Sequence, residues 1–413
     1  MIEENHSNSA PIRLVHLQLL PLLSGVQKVS LDEFSKIDSV KYEPILVCKE
    51  SGPLVNAISA LGFKSEFVPS LERDISPKAD VKALLDLVKC FRRIRPDVVH
   101  THSSKTGILG RLAARLAGVP MVIHTVHGFA FPFAKSRFVR YFYFLAEFIG
   151  GLLSDKVVVL NITDYNYAIK NLKISESKVH LIPNGVAIES FGAAVSVRKE
   201  YRQEVLATEK DEEICIAMVG RLWAQKNPLC LVEAAKKVID RTDIPVKFFF
   251  AGDGELKDEV ERKILEYRLE GKVGILGWRS DVPKLLSSVD VFVLPSLWEG
   301  MPLAILEAMA SKLPCVVSNI PGNRDLVEHD VDGLLFEANN ADSLAEQLIR
   351  VIEDRQLRER FSNAAFDKVT NKYSLARRME KVTALYESAD ESPFVDALSE
   401  VDSDGIYVTR RIS

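Results

Sequence analysis

Glu299-Gly300-Met301-Pro302-Leu303-Ala304-Ile305-Leu306-Glu307, directly after the strand-like run Asp290-Val291-Phe292-Val293-Leu294-Pro295, governs how this chain is read. Pro302 has a fixed φ and no N–H, which suits the first position of a helix, and the apolar, Ala-rich residues behind it favour one. The sequence therefore predicts a helix from Pro302. Its first turn leaves the N–H groups of Gly300, Met301 and Leu303 without helical partners, and with the positive end of the helix dipole they suit a phosphate. Glu299 stands just before that end. At ~1.5 Å rise and ~100° per residue, Glu307 lies more than a turn inside. The two carboxylates can then take hydroxyls on either side of one diphosphate, a sugar on one side and a ribose on the other. The plainer alternative is a helix with a dipole-favoured N-terminal Glu and a second Glu on a solvated face.

A second segment, Met218-Val219-Gly220-Arg221-Leu222-Trp223-Ala224-Gln225-Lys226-Asn227-Pro228, follows the apolar run Ile214 to Met218. It puts Arg221 and Lys226 at the C-terminal edge of a strand, where open α/β sheets bind ligands, and both cations can meet a diphosphate. Taken alone it also reads as a surface loop with two solvated basic residues.

Together, G-R-L-x-x-Q-K-N-P and E-G-M-P-L-A-I-L-E resemble the retaining glycosyltransferases of family four, over a stretch from about Leu14 to Tyr386. The resemblance implies an α/β chain of GT-B fold, two Rossmann-like domains facing each other across a cleft, with a C-terminal helix crossing back. It implies Arg221 and Lys226 on the donor diphosphate, Glu307 on the ribose hydroxyls, and Glu299 on the transferred sugar. Backbone N–H groups from Gly300 through Met301 to Leu303 complete the grip. It also implies a UDP-sugar donor, with Gly277-Trp278-Arg279-Ser280 meeting the base through backbone groups and Arg279 counted among the donor-binding residues.

Length and composition agree. A chain of 413 residues exceeds a single core and points to two domains, and 47 % hydrophobic content is that of a globular protein. A net charge of −4 gives no broad cationic field, which argues against a nucleic-acid partner. The five cysteines are scattered through apolar segments without a C-x-x-C pair, so a reducing cytoplasm fits. The first ten residues carry Glu3 and Glu4 but no basic leader, so a secreted protein is not expected. Lys135 to Asp155 interleaves Phe138, Tyr141, Phe142, Phe144, Phe148 and Leu152 with Lys135, Arg137 and Arg140. Arg140 and Glu147 argue against a membrane span; an interfacial helix on lipid and a helix buried against a sheet both fit, leaving peripheral contact with the inner face of the plasma membrane open.

Apolar runs alternate with helical patterns, as in parallel βαβ units. They divide the chain into an acceptor-binding domain over 1–187, joined by a crossover helix at 374–388, and a nucleotide-sugar domain over 188–373. Ile182-Pro183-Asn184-Gly185-Val186 stands as the hinge, Ile188 to Lys210 reads as a polar, mobile stretch, and 389–413 as a loose acidic tail.

In the first domain, Met121-Val122-Ile123-His124-Thr125-Val126-His127-Gly128 ends a strand at His127. A histidine there is commonly structural; the resemblance places His127 at the donor sugar and makes it catalytic together with Glu299, Arg221 and Lys226. Gly25, in Leu23-Ser24-Gly25-Val26-Gln27, matches the family's first phosphate-approach loop, although Ser24 replaces a usual glycine. Ala187 likewise stands where an aspartate is common. His100-Thr101-His102-Ser103-Ser104-Lys105-Thr106-Gly107 opens a helix that adds Arg111, so His102, Ser104, Lys105 and Arg111 offer donors to an anionic headgroup. A capping Ser with a solvated basic face is the plainer reading, and a metal site from His100 and His102 lacks a further ligand nearby in sequence. Similar loops occur in bacterial enzymes that build O-antigen, capsule or exopolysaccharide units on polyprenyl diphosphate, so the resemblance implies a lipid-linked saccharide acceptor.

Fixed cations and helix N–H groups can stabilise a departing diphosphate as a metal would, so metal independence is expected. Asp330-Val331-Asp332 and Asp402-Ser403-Asp404 spell D-x-D by accident of a turn and a tail. The alternatives are a nucleotide-sugar epimerase on the same fold, a dehydrogenase using Gly252-Asp253-Gly254, whose third glycine is replaced by Lys257, and a non-catalytic scaffold.

Overall fold

Strands covered on both faces need continuous apolar side chains, and the runs in this chain supply them. Ile12–Leu17 (β1), Tyr42–Cys48 (β2), Lys64–Phe67 (β3), Val98–His102 (β4), Met121–Val126 (β5), Lys156–Val159 (β6) and Val179–Leu181 (β7) form one sheet in the order β3-β2-β1-β4-β5-β6-β7. Every pair in it is parallel. β3, with the sequence Lys-Ser-Glu-Phe, lies at one edge, where its charges stay wet. A second parallel sheet, in the order β10-β9-β8-β11-β12-β13, comprises Ile214–Val219 (β8), Val246–Ala251 (β9), Val273–Gly277 (β10), Val291–Leu294 (β11), Cys315–Ser318 (β12) and Gly333–Phe336 (β13). In both sheets the order reverses beside the first strand, at β1/β4 and at β8/β11. Open α/β sheets bind ligands outside the C-terminal strand ends at such switch points.

This computed structural model describes residues 10–74, 76–129, 136–192, 198–208 and 213–388, with the backbone of 399–401 and 407–409. The chain divides into two compact units, Met1–Pro183 with Arg378–Ser413, and Asn184–Arg377. The first breaks at Pro183 rather than at 187, and the last helix, Leu375–Glu387, gives Arg378 and Tyr386 to it. Each unit has its own core. Phe248, Phe250, Val293 and Phe361 are fully buried in the second, and Val15, Leu17, Leu87 and Val122 in the first.

Several elements exceed the sequence reading. Gly25 opens a twelve-residue helix, Gly25–Lys36, and is no mere loop glycine. The polar stretch after the hinge contains the helices Glu189–Gly192 and Arg198–Glu204. The second of these is pinned because Arg198 and Arg202 reach Asp290 at 2.5 and 3.0 Å. Ser399–Val401 and Tyr407–Thr409 pair antiparallel, and the rest of the acidic tail, with Asp402 and Asp404, lies outside the described residues.

The aromatic helix runs Arg137–Leu153. It turns Glu147, Gly150 and Gly151 inward and leaves Phe138, Tyr141, Phe142, Leu145, Ile149 and Leu152 exposed along one stripe at helical spacing. Lys135 lies outside the described residues. No described helix is long and apolar enough to cross a membrane.

Candidate active site

In the second unit the chain leaves β8 at Gly220, makes a 3-10 turn over Ala224–Lys226, and enters the helix Pro228–Arg241 through Asn227 in the left-handed region at φ 51°. The turn is packed against its neighbours. A Cβ on Gly252 would stand 1.9 Å from the Gly220 carbonyl oxygen, so only glycine allows this approach of two strand ends. Lys226 Nζ meets Glu299 Oε1 at 2.5 Å, and Ser296 Oγ donates to the same oxygen at 2.6 Å. Gln225 binds the adjoining loop twice, its carbonyl accepting from Leu297 N at 2.8 Å and its amide donating to the Trp298 carbonyl at 2.9 Å. The two sequence motifs are thus one cluster after β8 and β11, with the Arg221 guanidinium 4.4 Å over the Trp223 ring.

The helix behind Glu299 begins at Leu303 and ends at Ala310, one residue later than read from sequence. Pro302 is its extended cap, at ψ 119°, and not its first helical residue. Glu307 is buried on this helix. Two supports hold the preceding loop. A Cβ on Gly322 would fall 2.5 Å from the Gly300 carbonyl and 2.6 Å from that of Glu299, so the loop rests directly on Gly322. Asn184 donates its side-chain amide to the Met301 carbonyl at 2.9 Å. Sequence reading gave Asn184 only as hinge; the Pro-Asn-Gly turn carried no sign of this anchor. Arg279 differs from expectation, since its guanidinium is closed by Asp281 at 2.8 and 2.5 Å and by the Tyr201 hydroxyl at 3.1 Å. Asp281 holds the Arg279 pKa above its ordinary value.

In the first unit, β1, β4 and β5 bring His16, His100, His102 and His127 together. His102 Nδ1 and His127 Nε2 are 3.1 Å apart, and His102 Nε2 and His16 Nδ1 3.3 Å. The Tyr386 hydroxyl lies 3.1 Å from His16 Nε2 and 2.8 Å from His100 Nδ1. Desolvation lowers all four, His16 to about 4 and His127 to about 3, so the rings are neutral at pH 7. The sequence analysis names His127 but neither His16 nor Tyr386, whose contact with each other spans 370 positions of the chain.

Two acceptor assignments are corrected by burial. Arg111 is 1 % exposed and bonds Glu147 at 3.2 Å and the Gly107 carbonyl at 2.7 Å. A Cβ on Gly150 would strike the same guanidinium at 2.2 Å, so the helix carrying Glu147 is shaped around Arg111. His102 is fully buried, with both ring nitrogens engaged. Ser104 remains exposed at the helix start, after Ser103 at φ 60° makes the sharp turn out of β4. Lys105 pairs with Asp80 at 2.7 Å and the Asp74 carbonyl, which reduces what its charge can offer an anion. Gly25 stands at a helix start with nothing within 4 Å of where a Cβ would be, an open face that a ligand can approach.

Among the described residues, His16, His100 and His102 offer ligand atoms within 4.8 Å of one another. They do not fit a metal. Every ring nitrogen already has a hydrogen-bond partner. Asp330 and Asp332 bind Arg350 at 2.7 Å and Lys368 at 2.6 Å.

Known proteins resemble this chain in sequence and in fold. The family described as glycosyl transferases group 1 matches residues 197–368, and the one described as glycosyltransferase family 4 matches 25–190. The Escherichia coli UDP-Gal:alpha-D-GlcNAc-diphosphoundecaprenol alpha-1,3-galactosyltransferase is 44 % identical over 92 % of this chain and 98 % of its own. The Campylobacter jejuni N,N'-diacetylbacillosaminyl-diphospho-undecaprenol alpha-1,3-N-acetylgalactosaminyltransferase is 27 % identical over 74 % of this chain and 81 % of its own. Anabaena HepE, crystallised with UDP and glucose, superposes with a TM-score of 0.79 over 91 % of this chain and all of its own, at 18 % identity, a likeness of fold. Nothing among them supports an epimerase. With two Rossmann-like units, a GT-B fold and these relatives, the chain belongs to the family 4 glycosyltransferases and is an enzyme of that class.

Proposed function

We propose that this enzyme moves a hexose or N-acetylhexosamine from a UDP-sugar to a saccharide linked to polyprenyl diphosphate, in bacterial surface polysaccharide synthesis. The observation that carries the proposal is the Lys226–Glu299 pair at 2.5 Å, set between the β8 turn and the start of Leu303–Ala310. It supplies a cation for a diphosphate and a carboxylate for sugar hydroxyls at neighbouring positions. The Escherichia coli relative directs the first choice of donor to UDP-galactose and of acceptor to GlcNAc-diphosphoundecaprenol.

In this reading the sugar–phosphate bond breaks with oxocarbenium-like charge on the sugar and negative charge on the leaving diphosphate. Arg221 and Lys226 stabilise that diphosphate together with N–H groups of Gly300, Met301 and Leu303, and Gly25 lets it approach backbone. Glu307 takes ribose hydroxyls, Glu299 and His127 take those of the sugar, and the segment at Arg279 meets the base. Ser104 and Lys105 face the acceptor headgroup. The acceptor attacks on the face the diphosphate leaves, giving it its proton, so an α-linked nucleotide sugar yields an α-linked product. Charge stabilisation by these fixed groups makes a divalent ion unnecessary. The exposed stripe from Phe138 to Leu152, with Arg137 and Arg140 at one end and its acid Glu147 turned inward to Arg111, suits the anionic inner leaflet where such an acceptor resides.

The test is transfer from UDP-galactose to the lipid acceptor with and without EDTA, and the anomeric configuration of the product by NMR. An α-linked glycolipid formed equally in EDTA is expected. A β-linked product removes the same-face mechanism, and abolition by EDTA removes metal independence.

A further inference from the structure

We infer that Glu33 and Tyr386 fix the proton of His127 on Nε2 by way of His16 and His102, leaving Nδ1 of His127 a bare acceptor suited to a substrate hydroxyl. The functional half of this rests on the reading of His127 as a sugar contact.

Each neutral imidazole carries one N–H, so a chain of them has a direction. Glu33 sets it. Its Oε1 takes two bonds from Arg378, at 2.9 and 2.6 Å, and its Oε2 lies 3.3 Å from the Tyr386 hydroxyl, which donates to it. With that proton committed, the Tyr386 oxygen accepts from His16 Nε2 at 3.1 Å and His100 Nδ1 at 2.8 Å. His100 Nε2 then accepts the Thr125 hydroxyl proton at 2.7 Å. His16, protonated on Nε2, presents a bare Nδ1 to His102 Nε2 at 3.3 Å. Ser30 agrees with this order: its oxygen accepts from the Gln18 amide at 2.7 Å, which leaves its own proton for His16 Nδ1 at 3.2 Å. His102 is therefore protonated on Nε2, and its Nδ1 accepts from His127 Nε2 at 3.1 Å.

The reverse order fails at its inner end. Tyr386 would donate to His16, and no proton would separate the Tyr386 oxygen from Glu33 at 3.3 Å or the His16 Nε2 lone pair from the same carboxylate oxygen at 3.7 Å. Burial keeps every ring neutral, so a second proton cannot relieve the conflict. A carboxylate on a remote helix thereby dictates the hydrogen-bonding sense of His127. His16, His102, Tyr386 and Glu33 are positioning residues.

Long-range proton–nitrogen NMR of the full chain labelled with ¹⁵N-histidine reads, without substrate, which nitrogen of each ring is protonated. The expected wild-type pattern is Nε2–H for His127, His102 and His16, and Nδ1–H for His100. In Tyr386→Phe the order loses its anchor: His127 shows both tautomers, and kcat falls about tenfold, the loss of one hydrogen bond in the transition state. A merely structural role would change the unfolding temperature and leave the tautomer alone. His127 protonated on Nδ1 in the wild type overturns the inference, as does an unchanged Nε2–H form in Tyr386→Phe. The wild-type spectrum decides the assignment even where the variant does not fold. The expected tautomers in a protein whose activity survives His127→Ala would instead count against His127 touching substrate.

Discussion

Replacing Lys226 by Met separates what the ion pair does for the fold from what it does for the reaction. Lys226 and Glu299 are 17 % and 7 % exposed, and their atoms meet at 2.5 Å. At an effective dielectric constant of 20, a pair at that distance attracts by about 7 kcal/mol, most of it offset by the cost of taking both charges out of water. Lys226→Met leaves the Glu299 carboxylate buried with the Ser296 hydroxyl still donating to it at 2.6 Å, and breaking a buried pair costs about 3–5 kcal/mol. The Ser296 bond softens the loss, so about 3 kcal/mol is expected. For a unit of this size that lowers the melting temperature by about 6–12 °C. Glu299→Gln removes the stranded charge, so Lys226→Met/Glu299→Gln should lose less stability than the sum of the singles by at least about 1 kcal/mol. Activity should follow a different rule. With Lys226 in its proposed role on the diphosphate, its loss lowers kcat/KM about 10²–10³-fold, and the double variant recovers none of it. Calorimetry and initial rates on the four proteins give both cycles. Strictly additive melting shifts, or activity restored in the double variant, would refute the reasoning.

Three other outcomes are expected. Stability should fall with pH below the ordinary histidine range: burial lowers His16 from 6.5 to about 4, so the unfolded chain gains a proton that the folded one refuses. That contribution is complete above pH 6.5 and lost as pH falls from there toward 4, about 3 kcal/mol from His16 alone; a flat urea-unfolding midpoint between pH 7 and 5 would contradict it. Arg111→Met should cost about 3–5 kcal/mol by stranding Glu147 while leaving the KM for acceptor unchanged at a temperature where it folds; a raised KM without destabilisation would return Arg111 to the acceptor site. Replacing Phe138, Tyr141 and Phe142 with Ser should abolish flotation with phosphatidylglycerol vesicles and leave the melting temperature within about 2 °C, since exposed side chains contribute little to the fold; undiminished flotation would remove the lipid reading.

The parallel sheets and their helices were legible because buried strands and amphipathic helices repeat at periods that residue order alone displays; β8 falls on the apolar run from Ile214 to Met218 and extends it by one residue. The cluster after β8 and β11 was legible in part, since Arg221, Lys226, Glu299 and Glu307 lie in two short segments with a strand before each. Their mutual arrangement was not. That Lys226 pairs with Glu299, or that Asn184 holds Met301, depends on contacts between residues far apart in the chain. Arg111 misled for the same reason: on its own helix it looks like a solvated cation, and the Glu147 that buries it comes from a later helix. The histidine chain was hidden most completely, because its members come from β1, β4 and β5 and its inner end from helices at opposite ends of the sequence.

The most direct test of the proposed activity incubates purified protein with UDP-galactose and other UDP- and GDP-sugars, with and without GlcNAc-diphosphoundecaprenol, and measures released nucleotide and glycolipid together. Acceptor-dependent release of UDP from one sugar, matched by glycolipid and lost in Glu299→Ala and Lys226→Ala, is the expected result. Nucleotide release that ignores the acceptor and yields no glycolipid, or failure to bind any nucleotide, would contradict it.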